Sequence, residues 1–252
     1  MEAVSLKTPE DETLGTSTPE SAGAGILCPH DLLWIKDTRA LTTVTPLPPW
    51  AGAGQFLRAP VVVRREKVDD PCLVPVGLRG ETRSERCAGY LERAAVARCI
   101  KPEMLTGCAS AYIEEHQGRL PAFEALAVLA PSLDATGLAW GPTGGVGFQL
   151  ASRLPVVRED SDLDILLRAR APLSAAQMLA LRMISSSRIC RIDMQIDTGN
   201  GAFSFSEWAS INAQWANRQN GRVLLKTDAG PVLTADPWRQ NNWQNAESVK
   251  AP

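Results

Sequence analysis

The chain has 252 residues, 44% hydrophobic and 21% charged, which is enough apolar material for a packed core and excludes global disorder. The net charge of −2 excludes the basic footprint of a nucleic-acid binder. No run of about 20 apolar residues is present, which excludes a spanning helix. The uncharged run 135–152 is broken by Pro142 and five glycines.

Residues 1–24 are polar and acidic, rich in Thr, Ser, Pro and Glu, and are expected to form a disordered tail without a secretory signal. From residue 25 to about 82 the signals are strand-like. Pro60-Val61-Val62-Val63-Arg64 and Cys72 to Arg79 are short β-branched runs separated by Pro- and Gly-rich loops, which predicts a small β-rich N-terminal domain. Residues 58–101 carry ten Lys/Arg against six Asp/Glu. That local excess is either a solvated surface or a set of Arg residues that meet phosphates or an acidic partner.

Residues 83–120 are expected to form a helical connector. Ser84 stands as N-cap, and Leu91, Ala94, Ala95 and Arg98 follow at three- and four-residue spacing. A helix begins at Pro121, a favoured first position, and runs to Pro131. Residues 121–240 then alternate strand and helix. Strands are predicted over 138–140, 163–167, 189–196, 222–226 and 232–233, with helices over 144–152, 174–185 and 205–215. The fold class is α/β (α+β), with the β-rich domain followed by a mixed-sheet domain. Residues 241–252 form a second tail. Six cysteines without CxxC pairing argue for reduced, mostly buried thiols and a cytoplasmic protein rather than a zinc site.

The chemistry concentrates in the mixed-sheet domain. Asp162 and Asp164 begin an apolar strand two residues apart, on one face. Adjacent carboxylates repel unless a cation neutralises them. Upstream, Trp140-Gly141-Pro142-Thr143-Gly144-Gly145 is a strand, a glycine turn and a helix start, a pattern suited to phosphate oxygens. It matches neither a Walker A loop nor a dinucleotide fingerprint. In Arg191 to Asp197 polar and apolar residues alternate, so Asp193 can complete a three-carboxylate metal site if this strand lies beside Leu163; Asp197 is the alternative third carboxylate. An acidic turn and a wet strand face account for the same residues without metal.

The glycine turn, the Asp-x-Asp strand and the later acidic strand resemble the nucleotidyltransferase superfamily. The flanks narrow the resemblance. Pro29-His30-Asp31-Leu32-Leu33-Trp34, Val74 to Gly80, Gly141 to Phe148, Ser161 to Leu167, Gly201 to Trp208, Val223 to Pro231 and Asp236-Pro237-Trp238 are similar, in order, to the malonate decarboxylase holo-acyl-carrier-protein synthases, the phosphoribosyl-dephospho-CoA transferases. Gly145 departs from them, since relatives often carry Ser there. The resemblance implies transfer of the prosthetic group from 2'-(5''-triphosphoribosyl)-3'-dephospho-CoA to a serine of the acyl-carrier subunit of malonate decarboxylase, with release of diphosphate. It implies Mg²⁺ held by Asp162, Asp164 and Asp193, and phosphates held by Thr143, Gly144 and Gly145. Lys226 and Arg79 join them as phosphate ligands, or are a surface lysine and a structural ion pair. His30 and Asp31 either bind the donor or form a structural turn. The rival readings are a generic nucleotidyltransferase acting on a small alcohol and a non-catalytic CoA- or carrier-binding module.

Overall fold

The computed structural model describes residues 25–52, 59–80, 82, 84–116, 120–214 and 221–239. The two expected tails, 1–24 and 241–252, lie outside them.

Six strands form the first sheet: β1 (Leu32–Ile35), β2 (Leu41–Thr43), β3 (Val61–Val63), β4 (Leu73–Arg79), β5 (Arg86–Glu92) and β6 (Val96–Ile100), in the order β2-β5-β4-β3-β1-β6. Every pairing is antiparallel. Alternate residues Val74, Val76 and Leu78 of β4 and Cys87 and Leu91 of β5 are buried with Leu33, Val61 and Val63 in a core of their own.

The helix expected from Ser84 onward is not formed. Residues 86–92 are β5 and 96–100 are β6, joined by a 3₁₀ turn at Arg93–Ala95. β5 pairs with β4 from Leu73↔Glu92 to Arg79↔Arg86, and its burial alternates with period two. The helical spacing of Leu91, Ala94 and Ala95 arises because a strand end runs into a tight turn, and seven ladder positions outweigh weak local propensity. Among the described residues of the expected connector, only α1 (Cys108–His116) is α-helical. The thiols differ too: all six cysteines are unpaired, but only Cys87 is buried and Cys72 is exposed.

The second sheet contains β7 (Ala139–Pro142), β8 (Leu163–Arg168), β9 (Ile192–Asp197), β10 (Ala202–Ser204), β11 (Val223–Thr227) and β12 (Gly230–Thr234), in the order β12-β11-β10-β9-β8-β7. Only β8 and β9 run parallel, and α4 (Ala175–Ser185) supplies the crossover such a pair requires. Its start is a capping box, with Ser174 and Gln177 satisfying each other's backbone N–H. α2 (Pro121–Asp134), α3 (Gly144–Ser152) and α5 (Phe205–Gln214) complete this half. α2 continues one turn past Pro131, where the fully buried Leu133 and the Trp140 Nε1–H bond to Asp134 (2.8 Å) hold its last residues.

The two sheets share a core. Leu32 and Ile100 of the first sheet belong to the same buried cluster as Phe123, Leu126, Leu163, Ile165 and Phe203, and Val62 packs against it. At the seam, Gly141 of β7 lies so close to the 3₁₀ turn Pro102–Leu105 that a Cβ would stand 2.1 Å from the Pro102 backbone. Buried ion pairs cross the same seam. Asp197 takes Arg65 at 2.8 Å and Arg168 at 3.1 Å, and Arg168 also reaches Glu103 at 2.7 Å.

Candidate active site

A cavity of about 1170 Å³ opens between the sheets. Its walls include Thr143, Gly144, Asp164, Asp193, Gln195 and Lys226 from the second half, and His30, Arg64, Arg65, Arg79 and Arg86 from the first. A smaller apolar depression between α2 and α4 carries no titratable side chain.

The turn from β7 into α3 is shaped around Asp164. The Thr143 N–H donates to the Asp164 carbonyl at 2.8 Å. Gly144 has φ +57, and a Cβ there would lie 1.8 Å from Asp164 Oδ2, so any side chain would displace the carboxylate. Thr143 is the N-cap, yet its hydroxyl makes no bond to the helix. It lines the cavity beside the first-turn N–H groups of α3, which have no intrahelical acceptors. At Gly145 a Cβ would meet only ordinary contacts, Val157 Cγ2 at 3.6 Å and Arg79 Nη2 at 3.8 Å. That places the Arg79 guanidinium beside the start of α3, where it also stacks over the Phe148 ring at 5.4 Å.

In the parallel β8–β9 ladder Asp164 stands directly opposite Asp193. Asp164 is half-buried and Asp193 exposed to the cavity. Neighbouring carboxylates on one face cost stability that a cation or donor groups must offset. Asp162 lies one residue before β8, with its carboxylate 3.8 Å from Arg191 Nη1, and does not line the cavity. Asp197 is instead buried against Arg65 and Arg168. Among the described residues no three His, Cys, Asp or Glu side chains gather closely enough to hold a metal ion by themselves. Lys226, on β11, projects into the cavity.

His30 and Asp31 form a built turn. His30 has φ +77, and its N–H donates to the Val63 carbonyl at 2.9 Å. The fully buried Asp31 accepts the Cys28 N–H at 2.9 Å and Lys101 Nζ at 3.2 Å. Burial pushes the Asp31 carboxyl up, against the pull of these two donors. The turn delivers the His30 ring to Gln195, two residues beyond Asp193. Burial, and then the Arg65 charge, hold His30 down at about 4, although the Gln195 bond favours the protonated ring. The imidazole is therefore neutral near pH 7. Sequence reasoning reached Arg64, Arg65 and Arg86 only as members of the basic stretch 58–101 and singled out none of them as a cavity residue. Gln195 is signalled by its place on the polar face of the Asp193 strand.

Residues 28–102 match the family model of the phosphoribosyl-dephospho-CoA transferase MdcG N-terminal domain, and residues 111–237 that of the MdcG C-terminal domain. A phosphoribosyl-dephospho-CoA transferase of Azotobacter vinelandii is 43% identical over 216 residues, covering 84% of this chain and 94% of the relative. One of Pseudomonas putida strain W619 is 44% identical over 218 residues, covering 83% and 94%. One of Klebsiella pneumoniae subsp. pneumoniae is 37% identical over 212 residues, covering 84% and 96%. No solved structure matches.

Proposed function

The chain belongs to the phosphoribosyl-dephospho-CoA transferase MdcG family, and from that premise we propose that it transfers the phosphoribosyl-dephospho-CoA group from 2'-(5''-triphosphoribosyl)-3'-dephospho-CoA to a serine hydroxyl on the acyl-carrier subunit of malonate decarboxylase. The bond that forms joins the serine oxygen to the phosphorus attached to the ribose. The bond from that phosphorus to the next bridging oxygen breaks, and diphosphate leaves. The observation that carries this reading is the pairing of Asp164 with Asp193 against the Gly144 turn, inside a cavity walled by Arg79 and Lys226.

The roles follow from position. The Thr143 hydroxyl and the N–H groups of Gly144, Gly145 and the rest of the first turn of α3 hold the departing phosphates. Arg79 and Lys226 offset their charge. The serine loses its proton on the Asp193 side, the more open of the two carboxylates. Asp164 and Asp193, with Asp162 two residues before Asp164, are hard oxygen donors suited to Mg²⁺, which commonly binds through one or two carboxylates plus substrate phosphates rather than an all-protein cage. When bound, that ion supplies charge neutralisation and lowers the pKa of the attacking hydroxyl.

Intact mass spectrometry of the apo-carrier after incubation with donor, Mg²⁺ and this protein tests the reading. The carrier should gain one phosphoribosyl-dephospho-CoA unit with equimolar diphosphate released. An unmodified carrier, or transfer to a small alcohol in its absence, sinks it.

A further inference from the structure

One row of residues crosses the first sheet. Ile100 and Val62 flank Leu32, Val62 pairs with Gly77, and Gly77 with Ala88. The Leu32 end of this row enters or packs on the core shared with the second sheet. Gly77 and Ala88 instead line the cavity. The β1-β3-β6 half of the sheet thus docks, while β4 and β5 overhang as a ledge. The floor of that ledge is flat, because glycine and alanine stand side by side on it.

Charged groups border the floor. Two residues along each strand, on the same face, Arg79 and Arg86 are directly opposite in register, and both line the cavity. Two guanidinium groups at directly opposite ladder positions can hold one diphosphate between them. At the other border the Arg64 stem lies against Gly77, with Cδ 3.5 Å from the position of an added Cβ. Its guanidinium pairs with Glu66, which also accepts the Tyr90 hydroxyl at 2.5 Å. Because Arg79 also lies beside the start of α3, the ledge is continuous with the transfer site. A flat floor with paired guanidinium groups at one border fits a nucleoside diphosphate.

We propose that this ledge is a second phosphate subsite, distinct from the one at the Gly144 turn: Arg79 and Arg86 bind the diphosphate of the donor's dephospho-CoA body, and the Gly77–Ala88 floor takes its purine face. The inference rests on the reading of the donor as a dephospho-CoA derivative. It seats the donor's body on the first half of the protein and its reacting end on the second, with Arg79, beside the start of α3, shared between the two phosphate groups.

The test compares binding of dephospho-CoA with binding of inorganic tripolyphosphate, by calorimetry, in the full-length protein and in Arg86→Ser and Gly77→Val. Arg86 is exposed, and a Cβ at Gly77 would meet only ordinary contacts, nearest the flexible Arg64 stem at 3.5 Å, so both variants should fold. Each should weaken dephospho-CoA binding by about tenfold or more, as loss of a charged hydrogen bond or of a flat floor implies. Tripolyphosphate binding should be unchanged. In turnover, Arg86→Ser should raise the donor KM far more than it lowers kcat. Unchanged dephospho-CoA binding in both variants, equal weakening of both ligands, or no dephospho-CoA binding by the wild type overturns the ledge. The two readings separate cleanly. A protein that binds dephospho-CoA through Arg86 but modifies no carrier keeps the ledge and loses the transfer function. A protein that modifies the carrier with an Arg86→Ser KM at the wild-type value does the reverse.

Discussion

Asp164 and Asp193 carry the reading of the site, and their amide variants test it most directly. Asp162→Asn, Asp164→Asn and Asp193→Asn keep shape and remove charge. Each should stay folded and lose about a hundredfold or more in turnover, the scale of losing preorganised charge stabilisation at a transferring phosphoryl group. Asp160→Asn, on the exposed turn before β8, should lose little. Wild-type rates in the Asp164 and Asp193 variants would remove the chemistry from this face. The glycines divide just as sharply. Gly144→Ala meets both a left-handed backbone and the Asp164 carboxylate, so turnover should collapse and stability fall by roughly 1–2 kcal/mol. Gly145→Ser meets only ordinary contacts and should retain both stability and turnover, which a thermal melt and the carrier assay together read.

At the scale of elements, what was legible in the sequence was what local pattern controls. The glycine turn, the strand from Leu163 and the alternation of β9 as far as Ile196 each depend on a few consecutive residues, and each forms as expected. The β5–β6 region was not legible, because its conformation is decided by β4, whose partner residues are up to nineteen positions away. The same holds for Arg86: its role at the cavity wall follows from standing opposite Arg79, which no local spacing signals. Asp197 shows how tertiary charge overrides periodicity. It continues the polar alternation of β9, yet it is buried between two arginines that are themselves only 13–14% exposed. Asp197→Ala leaves two buried cations without their carboxylate and should cost about 3–5 kcal/mol in a denaturant titration. Asp193→Ala, facing the cavity, should leave stability nearly intact while abolishing turnover.

The whole molecule should respond to acid through His30. In the unfolded chain this imidazole protonates near 6.5, but in the fold only at about 4. Between those values the unfolded state binds the extra proton, so stability falls as pH drops from about 6.5 towards 4 and is retained above. Burial sets this window first, the Arg65 and Arg168 charges lower it further, and Gln195 and Asp197 oppose them. Asp31, held above its ordinary value, gains its proton more readily in the fold and offsets part of the loss at the acid end. Urea midpoints at pH 7.5 and 5.0 should therefore differ less in His30→Gln than in the wild type. An identical pH slope in the variant would assign the acid sensitivity elsewhere.

The contact of Gly141 with Pro102, and the passage of Leu32 and Ile100 into the second sheet's core, bear on how the chain can be divided. The two family models meet across residues 103–110, which invites the picture of two beads on a string. Expressed alone, the N-terminal piece would present Leu32, Val62 and Ile100 as a naked greasy stripe, and the C-terminal piece would lack the arginine-bearing wall that faces its carboxylates. Split there, the fragments should aggregate apart and recover function only when produced together.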